Sequence, residues 1–357
     1  MIKIKIISIL GARPQFIKLA PIAKYLEKNH SHKIIHTGQH YDHNMNDVFF
    51  QNLHIMKPDY NLNIGSGTHG YQTSKMIEHI ERILISEKPD MVLIYGDTNS
   101  TLAGAIATTK LEITMAHIEA GLRSFDKSMP EEINRVLSDH VSDILFCPTN
   151  TAISNLNNEN IKDGVYLVGD VMVDVLKQNI DISIKISNIL RDLDLVNTDY
   201  FLATIHRQSN TDNYENLSNI VKALEKLENV VLPCHPRTKK MLINYGLFEK
   251  LNDNIKIIDP VGYFDMLVLQ KNSKKILTDS GGIQKEAFIL GVPCVTLREN
   301  TEWVETLHGG WNILVGPNKQ KIIDATMNLY PEDHRENIFG NGDASKKISA
   351  IIDDFQL

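Results

Sequence analysis

Short apolar runs alternate along this chain with longer stretches in which apolar residues recur every three or four positions. In the first half the runs fall near 3–10, 33–37, 90–95, 113–118 and 143–147. Amphipathic stretches lie between them near 14–28, 70–87 and 99–110, and a helix near 130–141 precedes the last run. The alternation then restarts, with strand-like runs at 200–206, 229–235, 255–260, 274–280 and 293–298. Helical segments separate these near 213–228, 263–272 and 282–290. Strands alternating with helices predict parallel sheets covered on both faces. A polar, weakly patterned stretch near 173–199 divides the two series and predicts a hinge region. The expected fold class is therefore α/β, with two doubly wound, Rossmann-like domains facing each other across a cleft.

Open parallel sheets bind ligands at the carboxyl ends of their strands. The polar residues of this chain gather at those ends. "GARP" (11–14), "TGQH" (37–40), "GDTNST" (96–101) and "HIEAGLRS" (117–124) follow strands of the first series. "HRQSN" (206–210), "CHPRT" (234–238) and "DSGG" (279–282) take the equivalent places in the second. Turn residues alone would be unremarked; these loops also carry Arg, His, Asp or Glu, which predicts a cleft lined from both sides.

Length and composition narrow the chemistry. A chain of 357 residues, 42% hydrophobic and 23% charged, has room for two ordinary cores. Its net charge of −7 argues against a nucleic-acid partner. An anionic ligand must then be met by locally placed arginines and helix N-termini. Cys147, Cys234 and Cys294 are far apart without a CxxC pair, so reduced, buried thiols are expected rather than disulfides or zinc. The histidines show no metal-binding spacing, and no metal site is expected. The N-terminal apolar segment is only strand-length, and no apolar run approaches the roughly 20 residues of a membrane span. A cytoplasmic protein without a leader or membrane segment is the expectation.

In "GARPQFIK" (11–18), Gly11 lets backbone come close and Pro14 suits a first helical turn. Arg13 stands beside that helix N-terminus, where N–H groups and the macrodipole favour negative charge, and Lys18 follows about a turn later. A plain strand–turn–helix with a surface arginine fits the octapeptide equally well. "DSGGIQKEA" (279–287) is a stronger anion signal, because Gly281 and Gly282 bare the amides of a helix start. Ser280 can cap that helix or donate to a phosphate, and Glu286 can accept from ribose hydroxyls or simply be solvated.

In "SMPEEINRVLSDHVSDILF" (128–146), Ser128 and Glu131 have capping-box spacing and Pro130 falls in the first turn. Ile133, Val136, Leu137, His140, Val141 and Ile144 share one face, and Glu131 and Arg135 are i and i+4 on another. Either Glu131–Arg135 is an exposed pair, or a carboxylate is aimed into the cleft and held ionised. Asp97 and Glu119 each end a strand next to a glycine-containing loop, and with Glu131 they supply three carboxylates for moving a proton at carbon. His206, Arg207, His235 and Arg237 end two strands of the second series and can offset a diphosphate's charge.

With these residues placed, the chain resembles the non-hydrolysing UDP-N-acetylglucosamine 2-epimerase family over nearly its whole length. "GARPQFIKLAPI", "GDTNSTLAGA", "AHIEAGLRS", "PEEINRVLSDH", "HR" at 206–207, "HPRT" and "LTDSGGIQKEA" occur in the family's order and spacing. The resemblance implies a GT-B-like pair of domains, 1–172 on the sugar side and 173–340 on the UDP side, with a final helix about 341–357 packing back on the first. It implies inversion at C2 of a UDP-2-acetamido sugar, without NAD or any other cofactor, through elimination of UDP to a 2-acetamidoglucal and its re-addition. The product would feed surface polysaccharide or glycan synthesis.

By that resemblance Asp97, Glu119, Glu131 and His206 are catalytic. Arg13, Lys18, Arg135, Ser280, Gly281, Gly282, Glu286, Arg298 and Glu302 bind substrate. Gln39, His40, Arg207 and His235 belong to a site for a second, activating UDP-sugar, and the protein is a homodimer. One segment departs from the family: "RENTEWVE" (298–305) has Trp303-Val304 where Arg-Pro is usual. This is more similar to the branch acting on UDP-2,3-diacetamido-2,3-dideoxyglucuronate. "NIGSGTHGYQT" (63–73) also differs from the activator-dependent bacterial pattern, which leaves regulation open. Three rival readings remain: a GT-B glycosyltransferase, a hydrolysing epimerase releasing UDP, and a catalytically silent sugar-nucleotide sensor.

Overall fold

A computed structural model describes residues 3–39, 55–251, 253–332 and 334–355. The chain forms two compact units, Met1–Val175 with Asn337–Leu357, and Leu176–Glu336.

The first unit is built on a parallel sheet of seven strands: β1 (Lys5–Leu10), β2 (Ser31–His36), β3 (Tyr60–Asn61), β4 (Met91–Tyr95), β5 (Thr114–Ile118), β6 (Ile144–Cys147) and β7 (Val165–Leu167). Their spatial order is β3-β2-β1-β4-β5-β6-β7. The apolar runs are continuous because helices cover both faces: Ile6, Ile7, Ile9 and Leu10 of β1 are all inaccessible to solvent. Strand order reverses between β1 and β4, which pair directly from Ile6↔Met91 to Ile9↔Ile94. A crevice for ligands opens where neighbouring connections leave in opposite directions.

The second unit repeats the plan with β8 (Phe201–Thr204), β9 (Val230–Pro233), β10 (Ile255–Ile258), β11 (Lys275–Thr278), β12 (Cys294–Thr296) and β13 (Asn312–Leu314). Their order is β10-β9-β8-β11-β12-β13, again all parallel, with the reversal between β8 and β11. All ten strands expected from the apolar runs are present. Edge strands β3, β7 and β13 were not foreseen, since two or three residues are too few to display a pattern.

The stretch near 173–199, expected as a hinge, is mostly helical, with helices at Val171–Ile186 and Ile189–Asp192. Leu176 is buried and Ile180 partly buried on the core of the second unit, while Ile182, Ile184 and Ile186 are exposed. Apolar residues on both faces blur the helical period. The units divide within the first of these helices, between Val175 and Leu176, where the sequence reading placed the line at 172.

The final helix, Ala344–Asp354, packs on the helix Arg13–Asn29 in the first unit. Asp353 accepts from Asn29 Nδ2 at 3.1 Å and lies 2.7 Å from His30 Nε2. The buried Asp174 receives the N–H groups of Ala344 (3.2 Å) and Ser345 (3.0 Å) and the Ser345 hydroxyl (2.6 Å), so it caps this helix from a distant position in sequence. The three cysteines are free and buried. No helix among the described residues is long and apolar enough to cross a membrane.

Candidate active site

In the first unit the polar residues build up from the ends of β1, β4 and β5. Gly11 is obligatory, because a Cβ there would lie 1.8 Å from Ser100 Oγ and 2.3 Å from Thr37 Oγ1. The amides that follow are not bare. Gln15 Oε1 accepts from Gly11 N at 2.8 Å and Ala12 N at 3.0 Å, while its Nε2 donates to the Tyr95 carbonyl at 2.7 Å. The expected anion attraction of this loop therefore falls to Arg13, half-buried in the first helical turn, rather than to these two backbone groups.

Lys18 reaches from the same helix to Glu119, with Nζ 2.5 Å from Oε1 and both side chains largely buried. Tyr95 pairs with Ile118 at the ends of β4 and β5, so the next residues, Gly96 and Glu119, lie abreast. Gly96 has φ +60°, and a side chain built on it would sit 3.4 Å from Lys18 Nζ and 3.7 Å from Glu119 Oε1. Asp97 follows, 2.5 Å from Arg135 Nη2. Two carboxylates thus leave adjacent strands, each held by its own cation.

The helix carrying Arg135, Pro130–His140, settles the face that its spacing left open, and Arg135 is not part of an exposed pair. Its buried residues are Glu132, Asn134, Arg135, Ser138 and Asp139, while Ile133, Leu137 and Val141 are exposed. Apolar periodicity names a face but not its direction, and here the polar face serves the sheet edge. Nor does Ser128 form a capping box. Met129 is the N-cap, and Ser128 Oγ donates to Asp126 at 2.6 Å. Glu131 lies half-buried in the first turn. Its neighbour Glu132 makes the contacts that organise the site. It accepts from Ser124 N, Ser124 Oγ and Phe125 N, each at 2.9 Å, and from Arg135 Nη1 at 3.0 Å. Gln39 is also engaged within this unit, since Oε1 accepts from Ser100 N (2.9 Å) and Ser100 Oγ (2.7 Å) at the start of the helix Asn99–Lys110. His40 lies outside the described residues.

In the second unit Asp279 is the hub at the reversal between β8 and β11. It is fully buried and accepts from His206 N, Arg207 N and Asn210 Nδ2, all at 3.1 Å. The sequence reading quoted this aspartate within "DSGG" without giving it a role. His206 Nδ1 stands 3.4 Å from it, and the His206 side chain remains 41% exposed. Partial desolvation, with Arg207, His235 and Arg298 acting in the same direction and Asp279 opposing, holds the His206 pKa below the usual imidazole value. This is a cationic environment for an anion. His235 caps the helix Pro236–Asn244 by accepting Arg237 N at 3.2 Å, whereas Arg237 turns to Asp212 at 2.6 Å.

Ser280 caps the helix Gly281–Leu290, accepting from Ile283 N at 3.5 Å. The amides of Gly281 and Gly282 stand in the first turn, where no intrahelical acceptor exists. The glycines differ in kind. A Cβ on Gly281 would lie 1.9 Å from Glu302 Oε1, whereas one on Gly282 would meet only Ser280 Oγ at 3.8 Å. Glu302 and Arg298 form a buried pair at 2.9 Å. Glu286, half-buried, accepts from Gln270 at 2.6 Å. With Arg298, Glu302 and Glu286 gathered around a glycine-rich helix start, this end of the unit suits a phosphate and a polyol.

Known proteins bear on this arrangement. The sequence model of the UDP-N-acetylglucosamine 2-epimerase family matches residues 24–353. The chain belongs to that family. It is 57% identical to a UDP-N-acetylglucosamine 2-epimerase homolog of Methanococcus maripaludis, over 98% of this chain and 99% of the relative. It is 47% identical to the UDP-2,3-diacetamido-2,3-dideoxy-D-glucuronate 2-epimerase of Pseudomonas aeruginosa, with the same coverage. The crystal structure of the Methanocaldococcus jannaschii UDP-GlcNAc 2-epimerase, in complex with UDP-GlcNAc and UDP, superposes with TM-score 0.92 at 51% identity, covering 98% of this chain and 99% of that one. The fold is the GT-B-like pair of doubly wound units seen in these epimerases, and the protein is an isomerase.

The segment 298–305, read from the sequence as a departure from the family pattern, lies beside the helix start at Gly281. Trp303 is buried, and Lys285 Nζ lies 3.8 Å from its ring centroid, a cation–π contact one turn into the helix that opens with Gly281. Trp303 thus lies against the glycine-rich helix, while Val304 is exposed.

Proposed function

We propose that this chain is a non-hydrolysing UDP-sugar 2-epimerase acting on a UDP-2-acetamido sugar. The observation that carries the reading is the pair of cation-held carboxylates, Asp97 on Arg135 and Glu119 on Lys18, at adjacent strand ends. C2 beside an acetamido group is a poor carbon acid, so loss of its proton must be coupled to departure of UDP. One carboxylate takes the C2 proton while the C1–O bond breaks and its electron pair leaves on the diphosphate, giving a 2-acetamidoglucal. UDP then adds back at C1, and C2 receives a proton on the opposite face from a second acidic group. Glu131 completes the acid–base set.

In the second unit Arg298 and His206, which can take up a proton, with the amides of Gly281 and Gly282, hold the diphosphate. Stabilising the leaving group more as charge develops on it than in the bound substrate is what speeds the step. Glu286 holds the ribose, and Glu302 supports Arg298. Retention of the glycal keeps the enzyme from wasting substrate.

Turnover in D₂O, followed by proton NMR, should place deuterium at C2 of both epimers without accumulation of free UDP. Full retention of the original hydrogen would defeat elimination. Accumulating UDP would indicate the hydrolysing relative instead. Trp303-Val304 favours the 2,3-diacetamido-glucuronate substrate, and assaying that nucleotide sugar beside UDP-GlcNAc decides between them. Homodimer formation and activation by a second UDP-sugar, as the resemblance implies, are tested by light scattering and by adding UDP-GlcNAc to the diacetamido assay.

A further inference from the structure

His117, the penultimate residue of β5, is fully buried yet bonded through both ring nitrogens. Nε2 lies 2.7 Å from the Gly96 carbonyl, which can only accept, so Nε2 donates. Nδ1 lies 2.7 Å from Asp139 Oδ1. The other oxygen of Asp139 accepts from Gly121 N at 3.0 Å and Arg123 Nη1 at 2.6 Å. Arg123 is clamped in turn on Glu159, with contacts of 2.6 and 2.8 Å. One buried carboxylate therefore ties together two loops. Gly96, at φ +60°, precedes Asp97, and Gly121, at φ +81°, closes the turn that begins with Glu119.

These loops do not hold themselves. Glycines at positive φ are conformationally permissive, and their peptide planes can rotate unless something fixes them. Because the peptide is planar, fixing the Gly96 carbonyl fixes the Asp97 N–H and the direction in which Asp97 departs. Fixing Gly121 N likewise fixes the peptide after Ala120. We propose that His117, oriented by Asp139, is a positioning residue that sets the placement of Asp97 against Glu119. The proposal rests on the reading that these two carboxylates perform the proton transfers.

Two substitutions separate the bonds of the ring. The amide nitrogen of glutamine overlays Nε2 and can still hold the Gly96 carbonyl; that of asparagine overlays Nδ1 and cannot. His117→Asn should lower kcat about a hundredfold, the scale expected for a small misplacement of reacting groups, with KM and UDP affinity near wild type. His117→Gln should restore most of kcat at a similar melting temperature. A kcat that follows melting temperature in both variants, or survives in His117→Asn, overturns the proposal. Crystal structures of the variants give a readout independent of turnover. Asp97 should be displaced from Arg135 in His117→Asn and in place in His117→Gln, and an undisturbed Asp97 in both is contrary evidence. If His117→Asn does not fold, Glu159→Gln loosens Arg123 at the more exposed end of the chain; it should reduce kcat and leave UDP affinity intact, and full kcat counts against the idea. Absence of C2 exchange in the wild-type enzyme would instead sink the epimerase reading, leaving the positioning role to the crystallographic comparison.

Discussion

Glu119 leaves β5 at φ +72°, a left-handed conformation that costs a residue with a side chain about 1–3 kcal/mol. The surroundings impose it: Glu119 N and Ala120 N both donate to the Phe146 carbonyl, at 3.2 and 3.1 Å, and Lys18 holds the carboxylate at 2.5 Å. Strain maintained at a strand end, on a charged side chain, fits a group whose position matters more than its comfort. Glu119→Gln keeps the shape and removes the base. It should reduce turnover by about 10²–10⁴-fold while UDP affinity, measured by calorimetry, stays unchanged. Gly281 makes the opposite point, because a Cβ there would meet the carboxylate tip of the buried Glu302. Gly281→Ala must displace the Arg298–Glu302 pair, so a loss of about 1–3 kcal/mol in stability and a clear weakening of UDP binding are expected. Gly282→Ala should leave stability nearly untouched, since only ordinary contact awaits its Cβ. Denaturant titration of the two variants side by side checks the contrast.

Among the elements, the helix Pro130–His140 shows where reading by pattern fails and why. Its apolar stripe was legible, but burial went to the polar face, because Glu132, Asn134, Arg135 and Asp139 each have a partner waiting at the sheet edge or in the neighbouring loop. A buried polar face is tolerable only when its groups are satisfied. Glu132 satisfies two backbone N–H groups, a hydroxyl and a guanidinium at once. Glu132→Ala should therefore cost about 3–5 kcal/mol, the range for breaking a buried ion pair, and lower turnover as well through loss of support for Arg135. Urea unfolding that shows a surface-like effect would contradict this account. The helix Gly281–Leu290 behaved as read, because glycines, a serine cap and a preceding strand are local signals. Asp279 escaped notice because its partners come from elsewhere in the chain, and Glu132 because the loop amides it receives carry no side-chain signal.

For the whole molecule the histidines set the response to mild acid. Burial lowers the pKa of His36, His206 and His235. The unfolded chain then binds protons that the folded protein refuses, so their contribution to stability is present above about pH 6.5 and declines as pH falls below it. Glu87 acts lower on the scale. Hydrogen bonds from Lys33, Tyr60 and Lys5 hold its pKa down to about 2, so its contribution is full above about pH 4.5 and is lost progressively as pH falls towards about 2. Melting temperature should fall between pH 7 and 5.5. Binding has the reverse sign. A diphosphate beside His206 raises its pKa, so UDP binding should take up a proton and tighten as pH falls towards the depressed pKa of the unliganded protein. Calorimetry in buffers of different ionisation enthalpy reads that proton, and His206→Asn should abolish it.

What the chain determined unaided was everything carried by local pattern. Ten strands, the helices between them, the strand-end loops and the glycine-rich helix start all follow from hydrophobic period and turn chemistry, which act over a few residues. Tertiary structure decided which cation holds which carboxylate, which face of Pro130–His140 turns inward, and that Gln15 takes the amides of the first loop. Those outcomes depend on groups as much as 101 residues apart, as Lys18 and Glu119 are, brought together by strand order. Side-chain spacing along a sequence measures distance only within one element; across elements, the sheet sets it.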